Sequence, residues 1–401
     1  MSTLENPPST PFRLHLQKGR SGRVRAGHPW VFSNEIAMTQ EAKALSPGSL
    51  VALVDAGEER LGLGYFNPHT LIAVRMLDRT PDASLDAAWI GQRLKRALAL
   101  RQRLYAEPCY RLIHAEADGL PGLVIDRFGA VVVVQSNTAG IDRLQPLLLD
   151  ALAETLAPHA IIWDRSSPVR GLEGLPIAEP ELVMGALDGP VELAENGARF
   201  LADLRAGQKT GWFFDQRDNR AFVAGLAAGR RVLDLYAYAG GFGVLAAVKG
   251  AAEVLMIDRS EDALGLARLA ARLNGVQERC RFEKAEAFAK LAALAEAGER
   301  FDLVIADPPA FVKSKKDLAS GLKGYRKLAR LAQTLVAPDG VLFMASCSHH
   351  VTAEAFHEEI RHGLGARGGR ILRAAGAAPD HPVHPHLPES AYLKALVLAL
   401  D

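Results

Sequence analysis

From Phe12 the chain alternates short apolar runs with turn signals. FRLHL, GRSGRVRAGHPWVFSNEI and GSLVALVDAGEERLGLGYFNPHTLIAVRML are parted at Pro47-Gly48, at residues 55–58 and at Asn67-Pro68. This spacing predicts a small β barrel or sandwich ending near Leu77, preceded by a loose Pro-, Ser- and Thr-rich tail over residues 1–11. Pro81 and Asp82 open a linker into an amphipathic helix over 86–105. Strands predicted at 110–114, 123–127, 130–136 and 160–163, with a helix at 141–156, make an α+β middle region. Asn196-Gly197 predicts a hairpin over 191–204. A helix at 217–226 precedes apolar strands from Arg231 and over 253–258, 280–283, 301–306 and 341–345, with a helix at 324–335 and a last antiparallel pair at 370–374 and 392–400. Short apolar runs that end in loops read as inner strands of a mostly parallel sheet. The fold class is therefore multidomain α/β, divided as 1–80, 81–189 and 190–401.

Composition adds mainly exclusions. The 401 residues are 49% hydrophobic and 23% charged, as in ordinary globular proteins. No run approaches a membrane helix, and no signal-peptide core opens the chain. Three scattered cysteines, Cys109, Cys280 and Cys347, are too few for a disulfide framework or a zinc site, so a cytoplasmic setting is expected. Net charge is only +1, but its distribution is uneven. Basic runs lie at 13–28, at 93–103 on the polar face of the predicted helix, and at 313–330, and such clusters suit phosphate contacts. His114, Glu116 and Asp118 read as turn residues, and His381, His384 and His386 as a loop near the substrate mouth. No metal is expected.

The chemistry gathers in the last two hundred residues. Phe301 to Lys316, FDLVIADPPAFVKSKK, reads as a buried strand running into a stiff loop at the carboxyl edge of the sheet, where ligands of such sheets sit. Asp307 with Phe311 suits a planar, nitrogen-bearing ring. GQKTGWFFDQRDNR, too polar and glycine-punctuated for core, reads as pocket wall ahead of a helix N-terminus. The glycines at 240, 241 and 243 do not match the dinucleotide fingerprint, and no Walker lysine follows. Acids end the strands instead, at Asp234 and Asp258. An acid also holds the ribose of NAD, although the glycine spacing argues against NAD. Cys347 follows a strand beside that of Asp307, in a polar setting of two serines and two histidines where a thiolate can form. A thiolate adding to carbon 6 of a pyrimidine makes carbon 5 nucleophilic, which is covalent catalysis.

The order DLYAYAGGFG, acid-ended strand, DPPAF resembles class I S-adenosylmethionine-dependent methyltransferases. Arg25-Ala-Gly-His28-Pro-Trp30-Val-Phe32 followed by Pro47-Gly48-Ser49-Leu50-Val51 resembles a PUA domain, a β-barrel RNA-binding module. With GQKTGWFFDQRDNR, SCSHH and DHP…PES-AYLK, the chain from about residue 12 onward resembles the large-subunit ribosomal RNA (cytosine-C5)-methyltransferase family. That resemblance implies a PUA-like barrel, an α+β middle domain and a Rossmann-like methyltransferase domain with a seven-stranded, mostly parallel sheet. It implies Cys347 as nucleophile and Asp307 as the acid holding cytosine. For the cofactor it implies Thr210, Phe214, Gln216, Arg217, Asp234, Tyr236, Tyr238, Gly240 and Gly241, together with Asp258, Arg259, Ser260, Glu286, Ala287 and Phe288. Pro308, Phe311, Lys313, Arg25 and His28 are implied on the RNA side, with large-subunit rRNA as partner and room for a homodimer. One departure stands out: many RNA 5-methylcytosine enzymes carry a second cysteine in the loop after strand four, where this chain has Asp-Pro-Pro. The base that takes the carbon-5 proton is therefore unassigned. Two other readings stay open: methylation of a base nitrogen, as on guanine, and an rRNA-binding assembly factor without catalysis.

Overall fold

The computed structural model describes residues 11–80, 83–205 and 211–401. The expected tail up to Ser9-Thr10, the Pro81-Asp82 linker and Thr210 lie outside the described residues. The chain forms two compact units, Met1–Asp188 with Pro382–Pro388, and Gly189–His381 with Glu389–Asp401.

In the first unit, β1 (Phe12–His15), β2 (Trp30–Phe32), β3 (Ser49–Val54), β4 (Arg60–Phe66) and β5 (Ile72–Asp78) form one sheet in the order β1-β3-β4-β5-β2. A bridge between Leu16 and Ile36 ties the two edges together, so no long unpaired edge is left there. Alternate residues such as Val51, Leu53, Phe66 and Val74 face a common apolar core. The stretch expected as strand and turn around Arg23 is instead a short helix, Gly22–Ala26. It buries Val24 and stops at Gly27, whose φ of 116° closes the cap.

A second sheet in this unit runs β10-β9-β8-β7-β6, from β6 (Cys109–His114), β7 (Leu123–Phe128), β8 (Val131–Ser136), β9 (Ala160–Arg165) and β10 (Ala178–Met184). The single helix expected over 141–156 is two, Ala139–Arg143 and Gln145–Leu156, because Pro146 lacks the N–H that would continue the first turn. The last strand, AEPELVM, had no readable alternation and was not foreseen. The helix Ala87–Leu104 is capped by Asp86; of its basic run, Lys95, Arg96 and Arg103 are exposed, whereas two arginines turn inward. Arg101 is fully buried in a bidentate pair with Asp118, and Arg93 reaches Asp78 while lying 3.4 Å from the Trp89 ring centroid. Glu116 accepts from Trp30 and Arg75, so the acids near Gly119 are structural clasps.

The second unit opens with the hairpin β11 (Val191–Glu195) and β12 (Ala198–Ala202). Asn196 and Gly197 both take positive φ at its two-residue turn. Its main sheet comprises β13 (Arg231–Leu235), β14 (Glu253–Asp258), β15 (Cys280–Lys284), β16 (Phe301–Ala306), β17 (Val336–Ser346), β18 (Gly369–Ala375) and β19 (Lys394–Leu400). The order is β15-β14-β13-β16-β17-β19-β18, with β19 antiparallel to both neighbours and the first five strands parallel. Chain direction therefore brings the ends of β13, β14, β16 and β17 to one edge. Helices Gly241–Val248, Glu261–Leu273, Ala287–Glu296, Leu318–Thr334 and Ala353–Leu364 connect the strands. The fourth of these starts six residues ahead of the expected 324, because Gly321 and Gly324 obscured its pattern. A Cβ on Gly321 would come within 2.3 Å of the Val312 side chain, so the glycines let the Asp307 loop lie on the helix.

The stretch from Trp212 to Arg220, expected outside the core, is largely buried. Glu195, 1% exposed, accepts from Arg220 Nε and Nη2 at 2.6 and 3.0 Å and from Trp212 Nε1 at 3.1 Å, with Arg217 at 3.5 Å. One carboxylate thus makes two buried guanidiniums tolerable. Glu195→Ala should lose roughly 3–5 kcal/mol of stability by leaving those cations unpaired, read as a drop in the urea midpoint. Glu195→Gln, which keeps the shape and one acceptor, should lose less.

Candidate active site

The strand ends surround a cavity of about 430 Å³, within the range of small-molecule sites. The turn after β13 forms one wall. Tyr236 and Tyr238 take φ of 61° and 47°, and Gly240 follows at 80°. Two non-glycine residues in the left-handed region cost about 1–2 kcal/mol each, and such backbone persists where surrounding contacts hold it. Here Asp258 is the holder: its Oδ2 accepts the Tyr238 N–H at 2.9 Å, while Oδ1 accepts the Ser260 N–H at 2.8 Å. Its carboxylate is thereby fixed at the end of β14, on the cavity wall.

Asp234 sits one layer deeper. It is 1% exposed and accepts the Gly243 N–H at 2.8 Å, so it organises the glycine turn and does not line the cavity. A Cβ on Gly243 would meet Asp234 Oδ2 at 2.9 Å and Met256 at 2.5 Å, which explains the glycine there. Burial pushes the Asp234 carboxyl up to about 8, against the Gly243 hydrogen bond and with help from Asp307 and Asp258. Unfolded, the group ionises near pH 4; folded, it keeps its proton to about 8. The native state binds the extra proton across that window, so stability falls as pH rises through it. Asp234→Asn should flatten this slope, seen as a smaller Tm difference between pH 5 and pH 8 in ligand-free protein.

The opposite wall belongs to β16 and β17. Asp307 and Pro308 leave β16, and Cys347 leaves β17 directly alongside, with Ala306 paired to Met344. All three line the cavity, and Cys347 is partly buried there. The serines flanking it do not supply the polar setting expected of them. Ser346 and Ser348 are fully buried and turn to the Tyr325 hydroxyl, each at 2.8 Å. Ser348 Oγ also accepts the Val312 N–H at 3.2 Å, and Tyr325 OH lies 3.5 Å from the Phe311 nitrogen. Tyr325 therefore holds both the Asp307 loop and the Cys347 loop. Phe311 packs over Tyr325 at 4.7 Å and reaches Phe288 at 6.1 Å, giving a flat aromatic side to the cavity.

The cavity gathers most of the expected set: Gln216, Tyr236, Tyr238 and Gly241 on one side, Asp258 and Arg259, and then Glu286, Ala287 and Phe288. Other expected members stand behind it. Phe214 and Arg217 are buried, the latter with Glu195; Gly240 caps the following helix; and Ser260 caps another, accepting the Ala263 N–H at 3.2 Å. Lys313 is exposed and does not line the cavity. Arg25 and His28 belong to the first unit, where Arg25 pairs with Asp55 and Glu59 at 2.7 Å and His28 meets Arg23 at 2.6 Å. Sequence reading missed Trp212, Phe213, Asp215 and Arg220 as lining residues, although they lie inside the singled-out GWFFDQRDNR stretch. It also missed Leu393 and the pair formed by Tyr392, which donates to Asp215 Oδ2 at 2.5 Å. The three histidines of the 381–386 loop do not form one cluster. His381 pairs with Asp380 in the second unit, while His384 and His386 group with the first. No group of three metal-binding side chains occurs among the described residues, and none of their helices is long and apolar enough to cross a membrane.

Comparison with known proteins gives concordant matches. Residues 152–399 match the model of an S-adenosylmethionine-dependent methyltransferase family, and residues 14–79 that of a PUA-like domain. The Klebsiella pneumoniae protein named ribosomal RNA large subunit methyltransferase I is 36% identical over 389 residues, covering 95% of this chain and 96% of its own. The Escherichia coli protein of the same name is 36% identical over 392 residues, covering 95% and 98%. In fold, the chain is similar to the crystal structure of SMU.776 complexed with SAH, with a TM-score of 0.82 and 19% identity over 97% of this chain and 100% of that one.

Proposed function

Since the chain belongs to the S-adenosylmethionine-dependent methyltransferase family, we propose that it methylates carbon 5 of a cytosine in large-subunit ribosomal RNA, with Cys347 as nucleophile. The observation that carries this reading is a thiol and an acid-bearing proline loop on one wall of the cofactor cavity.

The residues present suit the cofactor. Asp258 offers a fixed carboxylate for two ribose hydroxyls, Glu286, Ala287 and Phe288 flank a flat ring, and Asp234 lies behind the glycine turn. A Cβ on Gly241 would come within 3.1 Å of Arg220 and 3.3 Å of Trp212, both on the cavity wall, so the glycine keeps that wall closely packed. When bound, the cofactor supplies an electrophilic methyl group on a sulfonium.

Phe311 and the two prolines hold the cytosine ring, and Asp307 pairs with its N3 and amino edge. The Cys347 thiolate forms a bond from Sγ to carbon 6, and the displaced π electrons make carbon 5 enamine-like. Asp307, carrying a proton, donates to N3 and so offsets the negative charge that develops on the ring. After carbon 5 has gained its methyl group, loss of the carbon-5 proton returns the electron pair to the ring and breaks the Sγ–C6 bond.

The PUA-like module, with Arg25 and His28, and the exposed Lys313 belong to the RNA side of the same reading, as does the division into domains 1–80, 81–189 and 190–401. RNA carrying 5-fluorocytosine tests it, because fluorine at carbon 5 blocks the final elimination. A denaturation-resistant protein–RNA band and labelled 5-methylcytosine in ordinary rRNA are expected. Turnover that yields only a methylated base nitrogen, with no trapped band, would overturn the assignment.

A further inference from the structure

We propose that Lys394 is a positioning residue for the thiol: its ammonium, held behind Cys347 by two backbone carbonyls, keeps that side chain as thiolate at neutral pH. This inference rests on the reading of Cys347 as the nucleophile.

Lys394 opens β19, which runs antiparallel to β17 with Lys394 opposite Ser346, the residue before Cys347. Its Nζ donates to the Ser348 carbonyl at 2.6 Å and to the Tyr392 carbonyl at 2.7 Å. Ser348 is the residue after Cys347, so the amine grips the backbone on the far side of the cysteine while its own backbone pairs on the near side. Lys394 is 7% exposed and does not line the cavity, whereas Leu393 and Cys347 do. It therefore cannot touch a substrate and can act only through its neighbours.

A buried ammonium normally finds a carboxylate. Among the described residues no carboxylate pairs with Lys394, and both of its recorded acceptors are carbonyls. The ionisable side chain between the two points where Lys394 holds β17 and its loop is Cys347. Burial pulls the amine down to about 8, and Cys347 pulls it back up. The interaction is mutual: a cation stabilised by a thiolate stabilises that thiolate equally.

Other ionisable groups face Cys347 from each neighbouring element. Asp307 approaches from the end of β16, and Tyr325 lies behind it from the helix Leu318–Thr334, responding electrostatically to the same thiol. His349 and His350 follow in its own loop, with His349 stacked on Tyr392 at 5.1 Å. Arg220 lines the same cavity but is already paired with Glu195. Neither Asp307 nor Tyr325 can carry a positive charge, which leaves Lys394 as the buried cation beside Cys347, with the two histidines of the loop as the alternative that the test below separates.

Site-resolved alkylation separates this role from mere capping of two carbonyls. Full-length protein without RNA is treated with iodoacetamide between pH 5.5 and 10, and the rate at Cys347 is followed by peptide mass spectrometry. In the wild type, half-maximal reactivity is expected at least one unit below the roughly 8.5 of a free cysteine. Lys394→Met should move that midpoint up by a unit or more and slow the reaction at pH 7 by roughly tenfold, and Lys394→Arg should restore most of the shift. An unshifted wild-type midpoint, or a low midpoint that survives in Lys394→Met, would overturn the proposal, the latter assigning the effect to the histidines. Because this readout needs no RNA, its failure is distinct from failure of the carbon-5 reading, which the 5-fluorocytosine experiment decides alone.

Discussion

Replacing Cys347 by alanine should abolish methyl transfer to cytosine, by on the order of a thousandfold or more, while cofactor affinity stays within about twofold. The size of the loss follows from the chemistry. Carbon 5 of an unactivated cytosine has little electron density to offer a sulfonium, and only a bond at carbon 6 changes that. No second cysteine follows β16, where Asp307, Pro308 and Pro309 stand instead, so no neighbouring thiol can substitute. Cys347 is partly buried at a strand end on the cavity wall, and truncating it to alanine removes one sulfur atom that already borders open space. A stability change of about 1 kcal/mol or less is expected. Initial rates with tritiated cofactor, set beside calorimetric affinity for the cofactor, check both halves. Full activity in the variant would move the reaction to a ring or exocyclic nitrogen, which needs no thiol.

Asp258→Ala should weaken cofactor binding by roughly a hundredfold, from the loss of charge-assisted hydrogen bonds worth about 1.5–3 kcal/mol each. Two losses combine at this residue. The carboxylate facing the cavity disappears, and so does the acceptor that holds Tyr238 in its left-handed backbone. The turn then relaxes toward ordinary φ and draws the Tyr238 ring out of place. Ser260→Ala is the matching control. Its hydroxyl caps the helix Glu261–Leu273 and does not face the cavity, so it should cost about 1 kcal/mol of stability with little change in affinity. Calorimetric titration of both variants separates the two roles. Equal affinity for wild type and Asp258→Ala would remove Asp258 from the cofactor site.

What the sequence disclosed and what it hid follow from the range of the interactions involved. β16 was legible to the residue because a continuous apolar run meets Pro308 and Pro309, and local signals of that kind survive without tertiary context. Asp258, Asp307 and Cys347 were legible because each ends such a run. Tyr325 was not: it is one aromatic in a lysine- and arginine-rich helix, and its partners Ser346 and Ser348 lie more than twenty residues away. The buried clasp of Glu195 with Arg220 was hidden for the same reason, and polar residues that belong to the core were assigned to the surface. In the helix Ala87–Leu104 two members of the basic run misled in the opposite sense, since Arg101 and Arg93 find carboxylates only once the chain has folded, while Lys95, Arg96 and Arg103 stay exposed.

The loops that carry Cys347 and Asp307 both bond to one phenolic oxygen. The Tyr325 hydroxyl reaches Ser346 and Ser348 on either side of the thiol and approaches the Phe311 nitrogen in the Asp307 loop. The spacing between Cys347 and Asp307 is therefore gauged by this oxygen together with the direct Val312–Ser348 hydrogen bond rather than by two loops drifting separately. On its outer side the same ring meets Phe356 edge-on at 5.4 Å, a residue with no place on the cavity wall. A substitution there is expected to shift the distance between Cys347 and Asp307 from outside the cavity, with every wall residue left unchanged.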